Sequence, residues 1–233
     1  MSLPKHDVNF FEESLLSNPD KIVRYRPYTT KEEKEFLLAV ETEEEDKIMS
    51  AVESIVRNCV QDVDVDNEMT PVDTNYLLIR IRQKGKGDII AFAWKCEECQ
   101  GINRDTLDTN EELEFRIADP DPIQLDDWTV NLKWPTNGLV SKLKGISEIE
   151  RNYKVLAYSI KNIVEGETVS DEFTPDEIQE WVENLPPKLF EKYTKEYGQK
   201  SPRIIVNKIV KCGHCEAKER DLALEEAAAF FLS

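Results

Sequence analysis

Cys96-Glu97-Glu98-Cys99 and Cys212-Gly213-His214-Cys215 are the two stretches around which the rest of the chain is organised. Each follows a strand-like segment, residues 88–95 before the first and 203–211 before the second. Two Cys-x-x-Cys pairs supply four soft sulfur ligands, the set that fills a closed tetrahedral zinc site. The Gln100-Gly101 pair and Gly213 suit the tight knuckle in which backbone N–H groups turn toward sulfur. With Cys96, Cys99, Cys212 and Cys215 all engaged, no coordination position remains for a substrate, so the expected zinc is structural. Lys95, Lys211 and Lys218 lie close enough in sequence to offset the charge of four thiolates. Roughly 110 residues separate the two pairs, long for a zinc ribbon. The expected fold is α+β: mostly helical, with a small antiparallel zinc-ribbon-like element split by a helical insertion. The ribbon halves fall at 87–118 and 203–218 and the insertion at 139–200, within one domain over 23–233 that follows an N-terminal arm over 1–22.

Composition narrows the function. Of 233 residues, 47 are Asp or Glu against 30 Lys or Arg, a net charge of −17. Such a surface repels phosphate backbones, so nucleic acid is an unexpected partner and a basic protein a better one. No run approaches the ~20 apolar residues that span a bilayer, and residues 1–7 lack the apolar core of a signal peptide. The expected location is therefore the cytoplasm, where thiols stay reduced and paired cysteines mean metal or redox chemistry. Cys59, within an apolar-periodic helix, reads as a small buried hydrophobe. The two histidines, His6 and His214, are too few and too scattered for a triad, and Gly85-Lys86-Gly87 is too short to cradle phosphate. No small-molecule substrate is expected.

Two rivals to a structural zinc protein stand beside it. Cys212-Gly213-His214-Cys215 matches the active-site tetrapeptide of protein disulfide isomerases, the sequence of a thiol–disulfide oxidoreductase. Only about eighteen residues follow it, too few for the strands that a thioredoxin-like fold places there, and the second pair finds no use. A zinc-ribbon adaptor in nucleic-acid metabolism is the other, opposed by the acidic charge. A knuckle held by packing without metal is a further possibility.

Along the chain, Val8, Phe10, Phe11, Leu15 and Leu16 suggest a short amphipathic helix or a frayed arm, and 21–28 alternates like a strand. Thr29 and Thr30, each with Glu three residues on, carry capping-box spacing into a helix with Phe36, Leu37 and Val40. Glu43 to Asp46 is a helix break or a solvated face before periodicity resumes through Ile48, Val52, Ile55, Val56 and Cys59. Asp62-x-Asp64-x-Asp66 lacks the glycine and glutamate of a calcium loop. Thr70-Pro71 opens a helix through Tyr76, Leu77 and Ile81. After a polar connection, 111–117 and 128–135 alternate as strands. Ile149, Tyr153, Leu156, Ile160 and Ile163 form one helical stripe. Thr174-Pro175-Asp176-Glu177 launches a helix bearing Trp181, Leu189 to Tyr197 make another, and 222–232 reads as a closing helix. The four tryptophans sit at apolar-periodic positions, in core or partner interface.

Arg24-Tyr25-Arg26-Pro27-Tyr28-Thr29-Thr30-Lys31-Glu32-Glu33-Lys34, running into Leu37, Leu38 and Ala39, resembles the opening of the baseplate proteins of T-even-like contractile-tailed bacteriophages. Asp73-x-x-Tyr76-Leu77-Leu78-x-Arg80-x-Arg82 with Lys86-Gly87, the late Cys212-x-x-Cys215 pair and the terminal Phe230-Phe231 fit the same pattern over residues 21–233. The resemblance implies a baseplate hub subunit or hub-assembly protein that is not an enzyme. It also implies binding to other baseplate and hub proteins, in the host cytoplasm during assembly and in the tail baseplate of the virion. The Arg24–Lys34 entry and the acidic, aromatic-bearing helices are then the expected partner-facing parts.

Overall fold

The computed structural model describes residues 7–42 and 44–222, and contacts divide the chain into two compact units. Unit 1 gathers Met1–Val63, Val72–Arg116 and Arg203–Ser233; unit 2 gathers Asp64–Pro71 and Ile117–Pro202.

In chain order, β1 (Phe11–Ser14) pairs antiparallel with β2 (Ile22–Tyr25). The apolar cluster expected as helix or frayed arm is thus partly strand, because Phe11 packs its ring 5.8 Å from Tyr25 while Leu15 and Leu16 are buried. Helix α1 (Thr30–Val40) starts from a Thr29/Glu32 capping box, and α2 (Glu45–Cys59) follows a break in the acidic run. After β3 (Val60–Gln61), which adds to β2, comes α3 (Pro71–Lys86), stopped by Gly87 at φ 91°. Strands β4 (Ile89–Lys95), β5 (Ile102–Asp108), β6 (Leu113–Arg116), β7 (Ile123–Leu125) and β8 (Trp128–Leu132) follow, then helices α4 (Asn137–Lys142) and α5 (Glu148–Tyr158). The hairpin of β9 (Ile160–Glu165) and β10 (Thr168–Ser170) precedes α6 (Pro175–Glu183) and α7 (Pro187–Lys200). Strands β11 (Arg203–Val206), β12 (Ile209–Val210) and β13 (Arg220–Asp221) complete the described chain. Of the closing helix expected over 222–232 only Leu222 is described, and residues 223–232, with Phe230 and Phe231, lie outside the described residues, as does His6.

Of the described residues, 38% are helical and 25% strand, with 13 strands in five small sheets among them, so the expectation of a mostly helical protein is wrong. Two local misreadings account for much of this. Residues 102–108 look like a polar connection because Ile102 and Leu107 are their only large apolar side chains, yet they pair with β4 along its whole length. Ile160 and Ile163 continue the helical stripe in sequence but lie in β9, inside the stretch read as a helical insertion.

Unit 1 is built against α3. Asp73 is fully buried and accepts hydrogen bonds from the Ser17 backbone N–H at 3.0 Å and the Ser17 hydroxyl at 2.5 Å. Tyr76 donates its hydroxyl to Glu13 and sets its ring edge-on to Phe115, and the Arg80 guanidinium lies over both rings. Arg82, also buried, donates to the carbonyls of Gly87 and Ile89 and so ties the end of α3 to β4. Strands β6 and β11 pair antiparallel, Leu113 opposite Val206 and Arg116 opposite Arg203, where the chain leaves unit 1 and where it returns.

Unit 2 is an antiparallel sheet in the order β10-β9-β8-β7 whose apolar face packs with α5, α6 and α7. Its core holds Ile123, Leu125, Val130, Ile160 and Val182 around Tyr193, whose buried hydroxyl donates to the Leu156 carbonyl at 2.8 Å. Asp119 and Lys200 clasp the two ends of the unit through an ion pair at 2.8 Å and a backbone hydrogen bond at 2.9 Å.

Candidate metal centre

Strand periodicity aims the first cysteine of each knuckle. In β4 the alternation buries Ile90, Phe92 and Trp94, and the next residue on that face is Cys96, 3% exposed. Val210 and Cys212 repeat the pattern at the end of β12. The first knuckle is the turn of the β4–β5 hairpin, which is paired from Ile89 opposite Asp108 to Lys95 opposite Ile102. The second joins β12 to β13, where Val210 faces Arg220.

The four cysteines converge. Their sulfurs all lie within 4.8 Å of one another, and they are the sole group of metal-ligand spacing among the described residues. Cys99 Sγ is 3.6 Å from Cys212 Sγ, and Cys96 Sγ is 3.8 Å from Cys215 Sγ. Zinc–sulfur bonds of ~2.3 Å in a tetrahedron place sulfurs about 3.8 Å apart, so these two edges already have the length the ion requires. Both are far longer than a disulfide bond of ~2.05 Å. Both join one knuckle to the other, so the four thiols make a single site.

Around the sulfurs, the donors expected of a knuckle are in place. Gly101 N–H points at Cys99 Sγ at 3.4 Å and His214 N–H at Cys212 Sγ at 3.3 Å. Within the first turn, Gln100 N–H donates to the Cys96 carbonyl and Cys96 N–H to the Gly101 carbonyl, both at 2.9 Å. The left-handed position is taken by Gln100 at φ 59° rather than by a glycine. Gly101 is required for another reason. A Cβ there would stand 2.8 Å from His214 Cδ2 and 3.2 Å from Cys99 Sγ. The His214 ring is held in that position by Nε2, which donates to the Ile102 carbonyl at 2.9 Å.

Asn103 joins the two knuckles and carries no sequence signal of its own. Its side-chain oxygen accepts from Gly213 N–H at 2.9 Å, and its amide nitrogen donates to the Gly101 carbonyl at 3.2 Å and approaches Cys212 Sγ at 3.6 Å. Sequence reasoning misses it because its role depends on a residue 109 positions away. Of the expected lysines, Lys218 lines a small cavity beside Cys96 and Cys212, while Lys211 pairs with Glu219.

These donors split the thiols. The His214 N–H, ahead of the Asn103 amide and the Cys99 thiol, draws the Cys212 thiol down to about 6 despite desolvation. At Cys215 the Ala217 N–H pulls the same way, but desolvation and the sulfurs of Cys99, Cys212 and Cys96 outweigh it and leave that thiol at about 12. Cys59, remote from the cluster, is pushed up to about 12 by burial.

A family model described as T4 bacteriophage base plate protein matches residues 9–232, nearly the whole chain. The chain belongs to this family. No match was found among curated proteins or among solved structures. Both knuckles and all of unit 2 of this base plate protein lie inside the matched span, as does unit 1 apart from its first eight residues and its last, and the family makes other phage proteins its partners. None of its described helices is long and apolar enough to cross a membrane.

Crowding at the first knuckle of this base plate protein gives a measurable expectation. Gly101→Ala forces the His214 ring or the Cys99 sulfur to move, at about 1–3 kcal/mol for overpacking of this kind. Denaturant titration of the variant should show that loss. A variant as stable as wild type would mean that the ring gives way freely.

Proposed function

We propose that this chain is a non-enzymatic structural or assembly component of the phage tail baseplate, acting at the hub by binding other baseplate proteins. The family match over residues 9–232 carries this reading. The protein works in the host cytoplasm during assembly and takes its place in the tail baseplate. A structural zinc ion is held by Cys96, Cys99, Cys212 and Cys215, supported by the two sulfur–sulfur edges near the tetrahedral length. When bound, the ion supplies charge neutralisation and a cross-link. The chain's own residues do the rest: Asn103 and the N–H groups of Gly101 and His214 orient the sulfurs.

A phage carrying an amber stop in this gene tests the reading. On a non-suppressing host it should accumulate tail parts without complete baseplates, visible by negative-stain electron microscopy, and suppression should restore them. Normal baseplates on the non-suppressing host would end the hub assignment. The thiol–disulfide alternative makes a separate demand, insulin reduction by the purified protein that Cys212→Ser abolishes and Cys96→Ser spares.

A further inference from the structure

Unit 2 has a cavity of about 240 Å³ between the sheet and α6, apart from the cysteine cluster. Its walls are aromatic and apolar: Trp128 from β8, Trp181 from α6, Phe173, and the buried Ile163. The two indoles meet edge to face, with ring centroids 5.5 Å apart and planes at 69°, and both are half-buried. Two carboxylates complete the lining. Glu165 is positioned by the Trp128 indole N–H at 3.1 Å, and Glu177 by the Thr174 N–H and hydroxyl of the α6 capping box. Those donors, the backbone N–H first, hold the Glu177 carboxyl below its usual range, so it stays ionised.

No lysine, arginine or histidine lines this cavity among the described residues. Aromatic faces carry a negative quadrupole and attract cations, and Trp does so most strongly. Two carboxylates without a lining cation add to the same field. The polarity is local, because the adjoining cavity that shares Phe173 and Ile178 carries Lys133, Lys142 and Lys154.

We propose that the Trp128–Trp181 cavity is a receptor for a single arginine side chain presented by a partner protein. Size selects a side chain over a free metabolite: 240 Å³ falls below the ~300–1,000 Å³ of small-molecule sites but leaves ample room for one guanidinium and its stem. Shape selects arginine over lysine, since a planar guanidinium stacks on indole and forks to carboxylate oxygens. The acidic chain as a whole, at −17, favours a basic partner surface. This inference rests on the protein-binding reading above and assigns it a place.

Titration of the full-length protein with N-acetyl-arginine methylamide, followed by tryptophan fluorescence, tests the cavity. A saturable change is expected, about tenfold weaker with the neutral citrulline analogue and in Glu165→Gln/Glu177→Gln. Glutamine preserves the indole and capping hydrogen bonds, and an unchanged thermal melt of the double variant checks that it folds. Equal responses to arginine and citrulline, wild-type affinity in the double variant, or tighter binding of free choline would overturn the proposal. In the phage, the double variant should lower the yield of complete baseplates. If it assembles them at the wild-type level while the amber mutant fails, the arginine site is wrong and the hub reading survives. If the amber mutant also assembles normally, the hub reading itself falls.

Discussion

Cys212→Ser is expected to remove the metal from the protein and unfold the region around the two knuckles. Elemental analysis should find about one zinc per chain in the untagged wild type and essentially none in the variant. Apparent zinc-binding free energies of about 10–16 kcal/mol in small zinc domains match or exceed the whole stability of an ordinary domain, about 5–15 kcal/mol. Loss of the ion should therefore melt this region rather than soften it. A chelator should reproduce the effect in the wild type, and added zinc should reverse it. Cys59→Ser is the control, because Cys59 is buried away from the cluster and should leave the zinc content unchanged. Wild-type protein that carries no metal and melts alike with and without chelator would end the zinc proposal.

The second large effect is expected at Glu32, which is only 6% exposed. It faces both guanidinium nitrogens of Arg26, at 2.5 and 3.1 Å, and accepts from the Thr29 N–H at 2.6 Å and the Thr29 hydroxyl at 2.9 Å. Arg26 also donates to the carbonyls of Pro27 and Asn58, so the pair fixes the start of α1 against the end of α2. Glu32→Ala leaves a largely buried guanidinium without its counter-charge and removes half of a capping box, a loss of about 3–5 kcal/mol. Burial pushes the Glu32 carboxyl up, but the Arg26 side chain and the Thr29 donors outweigh it and hold it at about 2, against an ordinary 4.5. A depressed carboxylate stabilises the fold fully above its unfolded value and loses that contribution as pH falls toward its folded value. Stability should therefore decline between about pH 4.5 and pH 2, by about 3 kcal/mol from this group. The wild type should show that slope in acid denaturation and Glu32→Ala should lack it. A variant with the wild-type slope would assign the acid sensitivity to other carboxylates.

Arg26 and Glu32 also mark where sequence reading succeeds and where it misleads. The Arg24–Lys34 stretch carries the resemblance drawn from the sequence, and its capping box at Thr29 and Glu32 was legible because such a box is written in four consecutive residues. The same locality made Thr174-Pro175 legible as the start of α6 and the stretches before the two knuckles legible as strands, while the burial of Cys96 and Cys212 came only with the structure. The stretch is also expected to face a partner. Within it Arg26 and Glu32 pair inside the chain, while Arg24, Lys31 and Lys34 are exposed. Side-chain types do not reveal whether a charge pairs within the chain or outside it. Residues 102–108 were illegible because a strand that buries Asn103 and Leu107 shows almost no apolar alternation. Around Ser159 the difficulty was periodicity. The helix ends with the Ser159 hydroxyl donating to the Val155 carbonyl at 2.6 Å, and β9 starts on the same buried side, so one apolar stripe covers two elements. Asn103 depends on a long-range approach that no local pattern encodes.

The Asp119–Lys200 clasp and the β6–β11 pair bear on the order in which the molecule is made. Cys99 and Cys212 stand 113 positions apart, so at about 5–20 residues per second the second knuckle leaves the ribosome roughly 6–23 s after the first. Joining them across an unstructured loop of that length costs about 4 kcal/mol in chain entropy. The Ile117–Pro202 part of unit 2 is synthesised in the interval, its Asp64–Pro71 part being already made. Once folded, it holds residues 119 and 200 together by itself and shortens the effective loop to the 20 positions from Cys99 to Asp119 and the 12 from Lys200 to Cys212. The inserted unit is thus the natural first step of the folding programme, and the cysteine cluster is its final seal.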